Sequence, residues 1–250
     1  MNSLLKKLQA GRTGYGLFAD MDSALVTRSV ANVGMDFVFI DQQHGLIDSN
    51  DVDHMITPLI GTDCTPIVRV ATNDDGLIMG ALDRGALGVV CPLVNTAEEA
   101  KKFVHALRYP PEGGRSWGPM KPGLYYGSDY TQKANGNVMA IAQIETKQAV
   151  ENLDAILSTE GLDAILVGPN DLGFTYGNQP MSMPEDQAVR DAIKLIADTC
   201  RKKNVYAGIH CGDTAMAKEM IKWGYQFMSI GTDFGYLTGF AQNVLEEMKR

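Results

Sequence analysis

The sequence predicts an α/β protein, and within that class a closed (β/α)8 barrel of the TIM barrel type. Three observations lead there. An apolar run, a polar or glycine-bearing loop and an amphipathic segment recur eight times along the chain. The runs are nearly continuous in apolar residues, as strands covered on both faces of a parallel sheet must be. The length of 250 residues is usual for one such barrel and too long for a minimal domain. An open doubly wound sheet is the alternative; against it, no GxGxxG follows the first strand.

Taken in order, residues 2–10 read as a short amphipathic lead-in helix. The expected strands are YGLFA (15–19), DFVFID (36–41), PIVRV (66–70), LGVVCP (87–92), MAIAQIE (139–145), DAILVG (163–168), VYAGIH (205–210) and QFMSIG (226–231). Several helices close on glycine just before the next strand, in VANVG, LDRGALG, STEG and IKWG. A left-handed cap at glycine stops a helix there. One connection breaks the rhythm. Residues 109–138 are rich in Gly, Pro, Tyr and Ser and lack periodicity, which marks a functional lid or a disordered loop. The aromatic residues Tyr109, Trp117, Tyr125, Tyr126 and Tyr130 argue against disorder. The segment leads from a helix to a strand, so it belongs to the face opposite a barrel's usual active site. It is expected to wrap upward or to pack on another subunit. No linker, repeat array or low-complexity tract divides the chain, and residues 1–250 form one domain on this reading.

Composition narrows the function classes. A formal net charge of −8 and the lack of a basic face argue against nucleic acid as a partner. Any anion site must therefore be local. Cys64, Cys91, Cys200 and Cys211 show no CxxC or CxxH spacing and sit in or beside apolar segments. They read as reduced structural thiols, which fits a cytoplasmic protein. No signal peptide or membrane-spanning run is apparent.

The candidate chemistry centres on Ala140 to Tyr176, a strand–helix–strand unit with about 15 residues of helical period between its strands. Each strand runs into a carboxylate, Glu145 and Asp171. Parallel strands bring both to the carboxyl rim, where α/β proteins place their chemistry. Two converging carboxylates suit a hard divalent cation; either one alone would equally well cap a helix or a turn. Gln143 alternates with Glu145 and shares its face, so it either contacts a ligand or orients Glu145. The turn of Gly168, Pro169 and Asn170 exposes the backbone N–H groups of its glycine and asparagine to an anion, or is an ordinary turn. Asp41 closes the second strand, followed by Gln43 and by His44 on a rim loop, where an imidazole can act as general base or simply face solvent. Of the other histidines, His54 and His105 fall in helices, and His210, ending strand seven, ranks second to His44. Arg69 lies inside an apolar strand and needs an anion, either a ligand or a neighbouring acid. Nothing local distinguishes Asp83.

Together these residues resemble the HpcH/HpaI aldolase family, the class II, metal-dependent pyruvate aldolases of the phosphoenolpyruvate/pyruvate barrel superfamily. The likeness runs from FVFIDQQHG through PIVRV, ALDRGALGVVCPLVNTAEEA, YPPEGGRSWGP and QIETKQAVENLDAIL to VGPNDL. It implies reversible cleavage of a 4-hydroxy-2-oxo acid into pyruvate and an aldehyde, through a pyruvate enolate held at the metal. Oxaloacetate decarboxylation, or another lyase reaction of a 2-oxo or hydroxy acid, is the alternative. By the same resemblance Glu145 and Asp171 ligate Mg2+, Mn2+ or Co2+. Gln143 and Gly168–Asn170 hold the pyruvate carboxylate, Arg69 stabilises the enolate, and His44 acts as base through a metal-bound water. Asp83 of a neighbouring subunit raises the basicity of that histidine, and Asp41 anchors the metal's waters beside Gln43. The resemblance further implies a homo-oligomer, a hexamer built as a trimer of dimers, with the helix at about 234–249 exchanged between partners. One departure stands out: many members carry an acid where this chain has Gln43, which puts a dicarboxylic semialdehyde product in doubt. Arg115 is a candidate for gripping a distal carboxylate. No lysine is placed at a strand end, which counts against Schiff-base chemistry.

Overall fold

Each expected apolar run forms a strand in the computed structural model, which describes residues 2–180 and 185–249. The strands are β1 (Gly14–Ala19), β2 (Phe37–Asp41), β3 (Thr65–Arg69), β4 (Gly88–Cys91), β5 (Met139–Ile144), β6 (Ala164–Val167), β7 (Tyr206–Cys211) and β8 (Phe227–Thr232). They pair in parallel, each with its neighbour in sequence, and β8 returns to β1 to close the barrel. The open-sheet alternative is thereby excluded.

The helices in chain order are α1 (Ser3–Gln9), α2 (Ala24–Val33), α3 (Ser49–Ile56), α4 (Asp75–Asp83), α5 (Ala97–Leu107), α6 (Met120–Tyr126), α7 (Tyr130–Ala134), α8 (Lys147–Glu151), α9 (Leu153–Leu157), α10 (Pro169–Thr175), α11 (Gln187–Lys203), α12 (Thr214–Trp223) and α13 (Asp233–Met248). Their starts follow from side-chain caps: Ser23, Asp48, Asp74, Thr96, Asp186 and Asp213 each accept a first-turn N–H. Each such cap stabilises by about 1 kcal/mol. The left-handed glycines Gly34 and Gly224 end α2 and α12 as expected. Where one helix is expected after β5 there are two, because the chain breaks at Asn152, whose amide donates to the Asn95 carbonyl at 2.8 Å.

Two cores result. Inside the barrel, Phe37, Phe39, Ile67, Val90, Ile141, Leu166 and Phe227 stack in layers, and Leu4, Leu5 and Leu8 of α1 plug the lower end. Outside, a continuous sleeve of apolar residues joins strands to helices. Removing one interior ring, as in Phe37→Ala, would cost about 3–5 kcal/mol. All four cysteines are free and buried. Burial pushes each thiol up to about 12, which suits packing rather than nucleophilic chemistry.

The 109–138 connection is ordered and does not cover the rim of its own chain. It folds into α6 and α7 at the lower end of the barrel, where the Tyr126 hydroxyl donates to the Gly85 carbonyl at 2.6 Å. Arg115 corrects a second expectation. It is 2% exposed, donates to Asp83 at 2.8 Å and to the Tyr130 hydroxyl at 3.1 Å, and lies over the Tyr109 ring. It is spent on holding this segment to α4 and does not line the rim cavity of its own chain. No helix among the described residues is long and apolar enough to cross a membrane.

Candidate active site

Strand parity builds the site. Side chains alternate faces along a strand, so the inward apolar positions of the barrel core predict which rim residues also point inward. In β2, Phe37 and Phe39 lead to Asp41; in β3, Ile67 leads to Arg69. In β5, Met139 and Ile141 lead to Gln143 and on to Glu145, and in β6, Ala164 and Leu166 lead to Gly168. The same step takes Phe18 to Asp20 at β1, Tyr206 to His210 in β7 and Phe227 to Ser229 in β8. At the carboxyl rim the interior thus changes from apolar to polar. A cavity of about 180 Å3 opens there, lined among others by Asp41, His44, Arg69, Gln143 and Gly168–Asp171.

Glu145 is 1% exposed. Oε1 accepts the Leu93 N–H at 2.8 Å, and Oε2 accepts the amide of Gln143. Burial pushes its carboxyl above the ordinary range and Asp171 adds to that, while the two donated hydrogen bonds pull the other way. Of the two readings open for Gln143, the geometry therefore includes the orienting one, and its Oε1 is left buried without a partner among the described residues. Leu93 sits at φ 53, a conformation that costs a leucine about 1–2 kcal/mol and that aims its N–H at Glu145. Gly168 packs directly against this pair: a Cβ there would lie 2.7 Å from Glu145 Oε2. Asp171 falls in the first turn of α10, where a carboxylate also suits the helix N-terminus, and its side chain makes no hydrogen bond among the described residues.

Arg69 and Asp41 are cross-strand partners in the β2–β3 register. The guanidinium meets the carboxylate through two hydrogen bonds, Nε to Oδ1 at 2.8 Å and Nη2 to Oδ2 at 2.5 Å, and stacks 4.4 Å from the Phe18 ring. The buried arginine thus has the neighbouring acid that the sequence left open, and Nη1 makes no protein hydrogen bond among the described residues. The Gln43 N–H also donates to Asp41, at 3.0 Å, while the Gln43 Oε1 is buried and unpartnered. His44 is exposed on the loop above. That loop turns tightly at Gly45, where a Cβ would lie 2.3 Å from the Asp41 carbonyl oxygen.

Asp83 stands apart, at the lower end of α4 on Arg115, and does not line this cavity. Six further residues do: Phe18, Asp20, Leu166, Val167, His210 and Thr232. Asp20 follows β1 as Asp41 ends β2, a signal the sequence carries but that no motif marks. Leu93 acts through its backbone, and its side chain gives no signal at all. Among the described residues no group of three His, Cys, Asp or Glu side chains is placed to hold a metal. The donor set here is two carboxylates, one buried and one at the rim.

Comparison with known proteins agrees with this architecture. The hydroxypyruvate/pyruvate aldolase of Rhizorhabdus wittichii is 34% identical over 249 residues, covering 100% of this chain and 99% of that protein. The 5-keto-4-deoxy-D-glucarate aldolase of Escherichia coli is 31% identical, over 100% of this chain and 97% of its own. Among solved structures, an HpcH/HpaI aldolase/citrate lyase family protein from Burkholderia cenocepacia superposes with a TM-score of 0.93 at 28% identity, both chains covered in full. The citrate synthase SbnG superposes with a TM-score of 0.90 at 29% identity, over 100% of this chain and 98% of that one. The family model for HpcH/HpaI aldolase/citrate lyase matches residues 14–238, and the chain belongs to that family.

Proposed function

We propose that this protein is a metal-dependent aldolase that cleaves a 4-hydroxy-2-oxo acid into pyruvate and an aldehyde, and runs the reverse reaction. The observation that carries the reading is Glu145, a buried carboxylate beside Asp171 that, among the described residues, has no cationic side chain hydrogen-bonded to it and lies next to the unpartnered Gln143 Oε1. A hydrated cation answers both needs, by its charge and by its water protons. With only two protein carboxylates, an ion of the Mg2+, Mn2+ or Co2+ type would keep open positions for water or substrate. Held by Glu145 and Asp171, such an ion would supply Lewis-acid polarisation of the 2-oxo group.

The chain's own residues do the rest. His44 takes the proton of the C4 hydroxyl as the C3–C4 bond breaks. The bonding electrons pass into the 2-oxo group, the aldehyde leaves, and protonation at C3 turns the enolate into pyruvate. Arg69, fixed by Asp41, presents a preorganised positive charge where the enolate oxygen develops. Gln143 holds Glu145, and the turn Gly168–Asn170 faces the pyruvate carboxylate. The roles of Asp83, in trans on His44, and of Asp41 and Gln43, around the metal's waters, rest on the family resemblance.

The same family carries the proposal of a homo-oligomer, a trimer of dimers. It is supported by α13, in which only Asp233 is buried while Leu237, Phe240 and Leu245 are 61%, 73% and 59% exposed. A helix with so much exposed apolar surface calls for a partner.

The test is pyruvate release from a panel of 4-hydroxy-2-oxo acids, with and without Mn2+ after chelation, on wild type and Glu145→Ala. Metal-dependent release that falls at least about 10²-fold in the variant is expected. Release that survives both chelation and the substitution would sink the metal mechanism, and turnover of oxaloacetate alone would move the assignment to a decarboxylase.

A further inference from the structure

The cavity has two unlike walls. One, from β5 and β6, carries Gln143 and the Gly168–Asp171 turn and belongs to the pyruvate end of the proposed substrate. The adjoining wall, from β7, β8 and β1, carries His210, Thr232, Phe18 and Asp20. A substrate with its 2-oxo acid end on the first wall extends C4 and everything beyond it toward the second. That second wall therefore contacts the part of the molecule that leaves as the aldehyde.

Its chemistry is specific. His210 pairs with Ser229 across the β7–β8 register, and its Nδ1 lies 3.0 Å from the Ser229 hydroxyl, which is fully buried. The ring is also packed edge-on against Phe18, with centroids 5.4 Å apart. Held on two sides, it keeps Nε2 as the nitrogen without a protein partner among the described residues. Burial and the Arg69 charge hold this imidazole down to about 4, so it is neutral at neutral pH and offers a hydrogen bond rather than a counter-ion. Asp20 is fixed by its own N–H, which donates to Asp233 at 2.9 Å. Thr232 lies beside it, paired with Phe18 in the β1–β8 register. This wall holds a carboxylate, a neutral imidazole and a hydroxyl, and no cation. Arg69, the one cationic side chain lining the cavity among the described residues, is held by Asp41 through Nε and Nη2.

We propose that the aldehyde partner is a short-chain hydroxyaldehyde, recognised through its hydroxyl groups by Asp20, His210 and Thr232, and that Asp20 selects against aldehydes bearing a second carboxylate. The proposal rests on the aldolase reading above and assigns the substrate class of that same site. A hydroxyl can donate to Asp20 and accept from His210, so each pairing is satisfied in both directions. A second carboxylate would instead face Asp20, like charge against like.

The experiment follows carbon–carbon bond formation between pyruvate and three aldehydes in the Mn2+-loaded enzyme. These are glyceraldehyde, propionaldehyde and succinic semialdehyde, compared by kcat/KM. Glyceraldehyde is expected to exceed propionaldehyde by roughly tenfold or more, the worth of one well-made hydrogen bond. Succinic semialdehyde is expected to be the poorest. Asp20→Asn should raise the ratio of succinic semialdehyde to glyceraldehyde about tenfold, and His210→Phe should lower that of glyceraldehyde to propionaldehyde by a similar factor. A purely structural role would lower all three rates together and leave the ratios unmoved, which would overturn the proposal. Exchange of the pyruvate methyl protons with deuterated water is measured alongside, because it reports enolate formation with no aldehyde present. Exchange without hydroxyaldehyde preference overturns this inference alone; no exchange overturns the aldolase reading and this one with it.

Discussion

Replacing Gly168 with alanine tests whether the position of the Glu145 carboxylate sets the rate. A Cβ at 168 would lie 2.7 Å from Glu145 Oε2 and 3.1 Å from both Gln143 Nε2 and Glu145 Cβ. An unstrained contact needs about 3.5 Å, so the carboxylate must retreat by roughly 0.8 Å. It is pinned from the other side by the Leu93 N–H at 2.8 Å, and the Gly168 backbone is tied to the Ile144 carbonyl at 3.3 Å. A displacement of that size in a catalytic group costs about 10²-fold, or about 2.7 kcal/mol of transition-state stabilisation. The fold should be retained. The φ of −96 and ψ of 92 at Gly168 are open to alanine, whose reduced unfolded-state entropy returns about 0.4–1 kcal/mol against a steric cost of about 1–3 kcal/mol. At this chain length the net loss lowers Tm by at most about 10 °C. The assays are kcat/KM for pyruvate release, Mn2+ affinity by calorimetry, and thermal melting by circular dichroism. A variant with kcat/KM within about threefold of wild type and unchanged Mn2+ affinity would refute the reasoning, because Glu145 would then tolerate the shift.

Two further outcomes follow from the same geometry. His210 is held down to about 4 in the fold against about 6.5 unfolded. The unfolded chain therefore binds the extra proton between those values, and the His210 contribution to stability is complete above about pH 6.5 and lost as pH falls toward 4. Between pH 7.5 and 5.5 it should cost the wild type about 1.4 kcal/mol, or a Tm lower by about 3–6 °C, and His210→Gln should remove that part of the slope. Identical slopes in the two proteins would show that His210 is not the titrating group. On α13, charges at Leu237→Glu and Phe240→Glu should convert the oligomer to smaller species in size-exclusion chromatography with light scattering, with the far-ultraviolet spectrum retained. A wild-type chain that already runs as a monomer would end the idea that this helix docks on a partner.

The amino-acid sequence by itself determined the eight strands, their parallel order and the rim positions of Asp41, Arg69, Gln143 and Glu145. These depend on local properties: apolar runs, helix caps, left-handed glycines and the period-2 alternation of a strand. It also singled out His44 and Asp171, because each lies in the loop or turn just past a strand's carboxyl end. What the sequence left open was decided by contacts between residues far apart in the chain. Arg69 could have faced a ligand or an acid, and the β2–β3 register put Asp41 directly opposite it. Arg115 could have gripped a substrate, but residues 109–138 fold at the lower end and bury it on Asp83. The β1–β7–β8 wall exists only because β8 closes on β1, bringing Asp20 and Thr232 beside a histidine about 190 residues from Asp20 in sequence. Leu93 contributes a backbone N–H whose direction depends on a φ of 53, a property no side-chain pattern encodes. Periodicity reports which face a residue occupies, and only barrel closure decides which faces meet.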